Sequence, residues 1–173
     1  MSSSTLAAPT QQGRARYWLS AWLPVLVAIL LVAIESTPAF GSDRTSGPLR
    51  HIWERLFGAV SDHAWLILHA LIRKSGHFTG FGLVGLTWFR ALRMTLPGAS
   101  FLRVEILAMI GTALVASADE YHQSFLPNRT ASLRDVLLDC VGALVTIAVA
   151  HQVLKRRVSM RRLDKEDTEL TLR

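Results

Sequence analysis

Three clusters of ionisable side chains interrupt an otherwise apolar chain. The longest is Asp119-Glu120-Tyr121-His122-Gln123-Ser124-Phe125-Leu126-Pro127-Asn128-Arg129; the others are Arg73-Lys74-Ser75-Gly76-His77 and the pair Asp135 and Asp139. Carboxylates and imidazoles in such a setting can pass protons, which makes His122, Glu120 and Asp119 the candidate general acids and bases. Lys74 and Arg129 can hold a phosphate or a carboxylate. Beside hydrocarbon these groups are costly unless partnered. The candidate ligand-binding set is therefore Lys74, His77, Asp119, Glu120, His122, Gln123, Arg129, Asp135 and Asp139.

Helical spacing groups them further. Lys74, His77 and Phe81 recur at i, i+3 and i+7 on one face, and Gly76 with Gly80 forms a small-xxx-small pair suited to close helix contact. Asp119, His122 and Gln123 share a face, while Glu120 turns toward Ala116 and Thr112, so the adjacent carboxylates need not meet the same partner. Two carboxylates in a low-dielectric rim repel, and Arg129, Lys74 or Arg134 is expected to neutralise them. Pro127-Asn128 is expected to break the helix in a tight turn. Ser132 and Asp135 approximate a capping box. Asp139 lies a turn deeper, followed by Gly142, Thr146 and Ala150 on a small face, and is expected to meet His77, Lys74 or Arg129 within the bundle.

Several chemistries fit this set. A metal site could draw on His77, His122, Asp119 and Glu120, but no HExxH or comparable ligand motif is present, and neither metal nor cofactor is expected. Proton relay, acid/base chemistry on an envelope lipid, and binding of an anionic envelope lipid or peptidoglycan precursor all remain open, as does an ion-pair network that only knits helix ends together. Membrane lipids are the expected partners under each reading.

The elements that must position these groups are membrane helices. Half of the 173 residues are hydrophobic, too many for an ordinary soluble domain. The lone Cys140 excludes a disulfide framework. Four windows approach the length of about 20 apolar residues that a span requires: roughly 17–35, 76–95, 104–121 and 135–154. The fold class expected is all-α, a multi-pass transmembrane helical bundle of four spans. The domain layout is a disordered cytoplasmic N-terminus over 1–16, a membrane domain over 17–155 and a basic cytoplasmic tail over 156–173. Arg14 and Arg16 before an apolar run, with Ser36-Thr37-Pro38-Ala39 after it, also resemble a signal peptide, but the run is long and three spans follow. In the connection between the first two spans, 41–48 reads as turn, and 49–60 and 62–73 as helical with Asp62 as N-cap. Trp65, Leu66, Leu68, His69 and Ile72 make an apolar stripe there, the mark of an interfacial helix on the outer leaflet.

Charge sets the orientation. With the N-terminus inside, twelve of the 19 basic residues fall on the cytoplasmic side, giving a net +7 inside and −1 outside. Both termini are thus expected in the cytoplasm of a bacterial inner-membrane protein, with the polar clusters facing outward. Trp18, Trp22 and Trp88 mark one interface, and Trp53 and Trp65 the other. The overall +6 is a membrane anchor, and no nucleic-acid partner is expected.

Lys74-x-x-His77-Phe78, Asp119-Glu120-x-His122-Gln123-x-Phe125-x-Pro127-x-Arg129 and Ser132-x-x-Asp135-Val136 with Gly142 resemble the VanZ-like family of bacterial membrane proteins, over about residues 18–155. The resemblance implies a multi-pass helical protein whose namesake lowers sensitivity to teicoplanin-type glycopeptides, with no agreed catalytic residues. Asp139 stands where the family usually has Asn, and Phe81 where Tyr is common.

Overall fold

The computed structural model describes residues 11–126 and 132–171. Among them the chain is helical without strands: α1 (Gln11–Glu35), a 3-10 turn (Pro38–Phe40), α2 (Ser42–Phe57), α3 (Asp62–Thr95), α4 (Phe101–Gln123) and α5 (Leu133–Thr171). The N-terminal segment expected to be disordered lies outside the described residues up to residue 10. Residues 156–171, within the expected basic tail, continue α5 as helix.

The helices alternate in direction. Tyr17 on α1 donates to the Met94 carbonyl at the far end of α3, whereas Ser36 just past the other end of α1 donates to Asp119 on α4. Lys74, a third of the way along α3, meets Asp135 near the start of α5, and Glu105 near the start of α4 meets His151 deep in α5. α1 and α4 therefore run one way and α3 and α5 the other. The three polar clusters gather at one end of this bundle as a consequence.

Burial is inverted relative to a soluble protein. α1 buries only Ala21, Val25 and Val32, while Leu19, Leu23, Leu26, Leu30 and Leu31 are exposed. A helix apolar on every side is stable in hydrocarbon, not in water. Among the described residues three helices are long and apolar enough to cross a membrane: Gln11–Glu35, Phe101–Gln123 and Leu133–Met160. The expected fourth span falls on α3, which is about 51 Å long at 1.5 Å per residue but is diluted by glycines, His77 and Arg90.

α3 also corrects the reading of the outer connection. Residues 62–73 form its first third and not a separate interfacial helix, because no Gly or Pro interrupts the helix before Gly76. Ser61, not Asp62, is the N-cap, its hydroxyl accepting from Ala64 N at 3.3 Å. The 41–48 segment expected as turn is helical from Ser42 and carries Pro48 inside α2. Tertiary hooks hold it there: Trp65 Nε1 donates to Ser46 Oγ at 2.8 Å, and Thr45 Oγ1 lies 3.2 Å from His69 Nε2. These hooks bury Trp65, whereas Leu66 of the expected stripe points outward. Burial pushes the His69 pKa below its ordinary value, and the nearby Arg73 charge pushes it the same way.

Two apolar layers fill the bundle. Phe89, Leu92, Val104, Ala108 and Ile147 pack with Trp22 and Trp88 in one. Val32, Phe81, Val84 and Ala116 form the other. The close seam is between α3 and α5, and Gly82, Gly85 and Gly142 permit it. A Cβ on Gly82 would lie 2.7 Å from Thr146 Oγ1, one on Gly85 2.7 Å from Ala143 Cβ, and one on Gly142 would overlap the Phe78 carbonyl. The small face of α5 read from Gly142 and Thr146 is this seam. Gly76 and Gly80 are not part of it: nothing lies within 4 Å of a Cβ on Gly76, and only the Glu35 carboxylate, at 3.9 Å, approaches one on Gly80.

Candidate functional site at the polar end of the bundle

The ends of α1, α4 and α5 meet the flank of α3 where the charged groups converge. Lys74 Nζ lies 2.6 Å from Asp135 Oδ1, tying α3 to α5. One turn deeper, His77 Nδ1 lies 3.6 Å from Asp139 Oδ1, too far for a hydrogen bond. Asp139 is only 2% exposed, and its Oδ1 has no hydrogen-bond partner among the described residues. The His77 ring stacks on Phe81, with centroids 6.3 Å apart.

Asp119 and Glu120 part company as their helical phase requires. Asp119 Oδ1 accepts from Ser36, and Oδ2 accepts from Gln123 Nε2 at 2.7 Å; that same Nε2 also reaches Ser36 Oγ at 3.2 Å. Glu120 accepts from the backbone N–H of Ser132 at the entrance to α5. The capping box expected within α5 is thus replaced: the carboxylate on the Ser132 N–H comes from α4, and Asp135 is free to engage Lys74. Both buried acids are served by hydrogen-bond donors rather than by a cation among the described residues. Arg129 and the Pro127-Asn128 turn lie outside the described residues.

The candidate residues line several cavities instead of one, and His77 also borders a cavity of about 260 Å³ beside Glu35, Thr45 and Gly76. A cavity of about 180 Å³ is lined by Ala70, Arg73, Lys74, His77, Gln123, Asp135 and Leu138. It lies between α3, α4 and α5, and its ionisable lining mixes basic groups with one carboxylate. A second, of about 330 Å³ between α1 and α4, contains Asp119 and His122 at its polar end. Gln123, bonded to Asp119, lines the α3–α5 cavity, whereas exposed His122 lines the one between α1 and α4 despite their shared sequence face. No group of three His, Cys, Asp or Glu side chains among the described residues is placed to hold a metal ion.

Residues 21–155 match the VanZ/LLP1 family, which is more than three quarters of the chain. The protein belongs to the VanZ/LLP1 family. All three polar clusters of this VanZ/LLP1 protein fall inside the matched region. Neither a curated protein nor a solved structure matches it.

Some residues of the site escaped the sequence reading. Ser36, 2% exposed, bonds to Asp119 from the end of α1. Its signal was positional, since a hydroxyl directly after the first span lies at the same depth as Asp119 near the end of the third apolar helix. Arg73 lines the α3–α5 cavity but was noted only as a neighbour of Lys74. At the opposite end, Arg93 lies 4.0 Å over the Phe101 ring, which stacks on His151, and His151 Nδ1 contacts Glu105. No spacing rule joins residues 46 positions apart on different helices.

Proposed function

We propose that this VanZ/LLP1 protein crosses the bacterial inner membrane four times, with α3 as the fourth crossing, both termini in the cytoplasm, and the polar end of the bundle facing outward. There it binds the phosphate-bearing head group of an anionic envelope lipid or lipid-linked precursor in the cavity between α3, α4 and α5. The observation that carries this reading is the lining of that cavity, where Arg73, Lys74 and His77 from one face of α3 meet the Gln123 amide. Basic groups at one rim supply charge for a phosphate, and the carboxylate of Asp135 holds the Lys74 ammonium in place at 2.6 Å. The antiparallel arrangement of α3 against the apolar helices α1 and α4 supports α3 as a crossing, and the charge asymmetry of twelve basic residues against seven supports the orientation.

A second reading is favoured by one contact. His77 lines the cavity while its Nδ1 faces the buried Asp139, the arrangement of an imidazole oriented by a carboxylate for proton transfer to a bound lipid. The test is lipid retention in mild detergent, measured by mass spectrometry. Binding at this cavity requires that Lys74→Gln lose the retained anionic lipid. Unchanged retention refutes the site. If His77→Gln retains lipid but loses the cellular phenotype under envelope stress or glycopeptide exposure, the catalytic reading holds.

A further inference from the structure

We propose that the cleft between α1 and α4 is a second binding site, which takes the hydrocarbon chain and head of an amine-bearing membrane lipid. The two helices barely touch, since α1 packs chiefly on α3. The space left between them is about 330 Å³. Its walls are apolar, with Ile29 and Val32 on α1 opposite Val115 on α4, and its mouth is polar, with Thr37, Asp119 and His122. From Val115 to His122 the groove descends about 10 Å along α4, at 1.5 Å per residue, which brings a chain well into one leaflet. An apolar slot ending in polar groups at helix-end depth is the shape of an amphiphile.

The charge at the mouth selects the head group. Among the described residues no Lys or Arg lines this cleft, unlike the cavity on the other side of Gln123. Asp119 is 8% exposed, and its two oxygens each accept a hydrogen bond, from Ser36 and Gln123. A carboxylate has about four acceptor sites, so the described residues leave two for a donor entering from the cleft. A primary ammonium supplies both the charge and the N–H groups. His122 makes no side-chain hydrogen bond among the described residues and is available to the phosphate next to the amine. Phosphatidylethanolamine has this chemistry; phosphatidylcholine has the same phosphate and chains but no N–H.

The full-length protein is reconstituted in phosphatidylcholine nanodiscs containing equal minor amounts of phosphatidylethanolamine and phosphatidylglycerol, extracted gently, and its retained lipids are quantified. A charge-assisted hydrogen bond corresponds to roughly tenfold in retention of phosphatidylethanolamine over phosphatidylcholine. Ala118→Phe fills the cleft from an exposed wall position without touching the hydrogen bonds of Asp119, and is expected to abolish that preference while phosphatidylglycerol stays bound. Ala33→Phe fills it from the α1 wall and serves should the first variant not fold. Lys74→Gln is expected to leave the amine lipid in place, which separates this site from the anionic one. Equal retention of the two zwitterionic lipids by wild type, or undiminished preference in the folded cleft variants, overturns the proposal. Loss of the amine lipid in Lys74→Gln also overturns it, by assigning that lipid to the α3–α5 cavity.

Discussion

Adding one methyl group at two glycines of the bundle should move stability in opposite directions. Gly142 on α5 faces the Phe78 carbonyl of α3, and a Cβ there would overlap it. The obstruction is backbone, so it cannot swing aside as a side-chain tip can; the two helices must part. Overpacking of this kind costs about 3 kcal/mol at the upper end of its usual range, against a gain of about 1 kcal/mol in helix propensity over Gly, leaving a net loss of about 2 kcal/mol. For a chain of this size that loss lowers the Tm by about 4–8 °C. Gly76→Ala meets nothing within 4 Å. It keeps only the propensity gain, raising the Tm by about 2–4 °C. Thermal unfolding of both variants in one detergent, followed by tryptophan fluorescence, reads the difference. The parting of α3 from α5 also draws His77 from Asp139, so Gly142→Ala should weaken lipid retention as well. Equal Tm values for the two variants would refute the seam geometry, and a drop with Gly76→Ala would restore Gly76 and Gly80 as a packing motif.

Glu120→Ala removes the acceptor of the Ser132 N–H at the entrance to α5 and is expected to cost about 1–2 kcal/mol, the worth of a helix cap; Glu120→Gln keeps an acceptor oxygen and should melt near wild type. Lys74→Gln breaks a pair whose side chains are 55% and 36% exposed, so its effect on Tm should be small, about 0–1 kcal/mol, while anionic lipid retention is lost. Burial of His69 depresses its pKa in the folded protein, so the unfolded chain binds more protons just below pH 6.5; the α2–α3 contact is at full strength above that pH and weakens as pH falls toward the folded pKa. Lower hydrogen-exchange protection in α2 at pH 5.5 than at pH 7, after division by the intrinsic exchange rate at each pH, checks the sign, and the difference is lost in His69→Gln. Reporter fusions after Leu154 should give a cytoplasmic signal and fusions within 45–60 an external one; the reverse would place the polar end inside the cell.

Helical content, the apolar spans and the three polar clusters were all legible in the chain, because each rests on local physics. A bilayer demands long apolar helices whatever their neighbours are, and a period of 3.6 residues sets Asp119 and Glu120 apart by phase alone. The α1, α4 and α5 segments therefore stood out in composition. α3 did so less clearly, since it is diluted by His77, Arg90 and the glycines that let α5 approach. Only the tertiary structure decided the partners. Which glycines form a seam depends on the register of α3 against α5, and register is a sum of many weak contacts that no short window contains. The same sum placed Glu120 on the Ser132 N–H, set Lys74 against Asp135, and ran α2 through Pro48 because Trp65 and His69 hold its first turns. It also divided one expected pocket: α1 brings Ser36 to Asp119, and the Gln123 side chain bonded to Asp119 stands between the basic cavity and the apolar cleft.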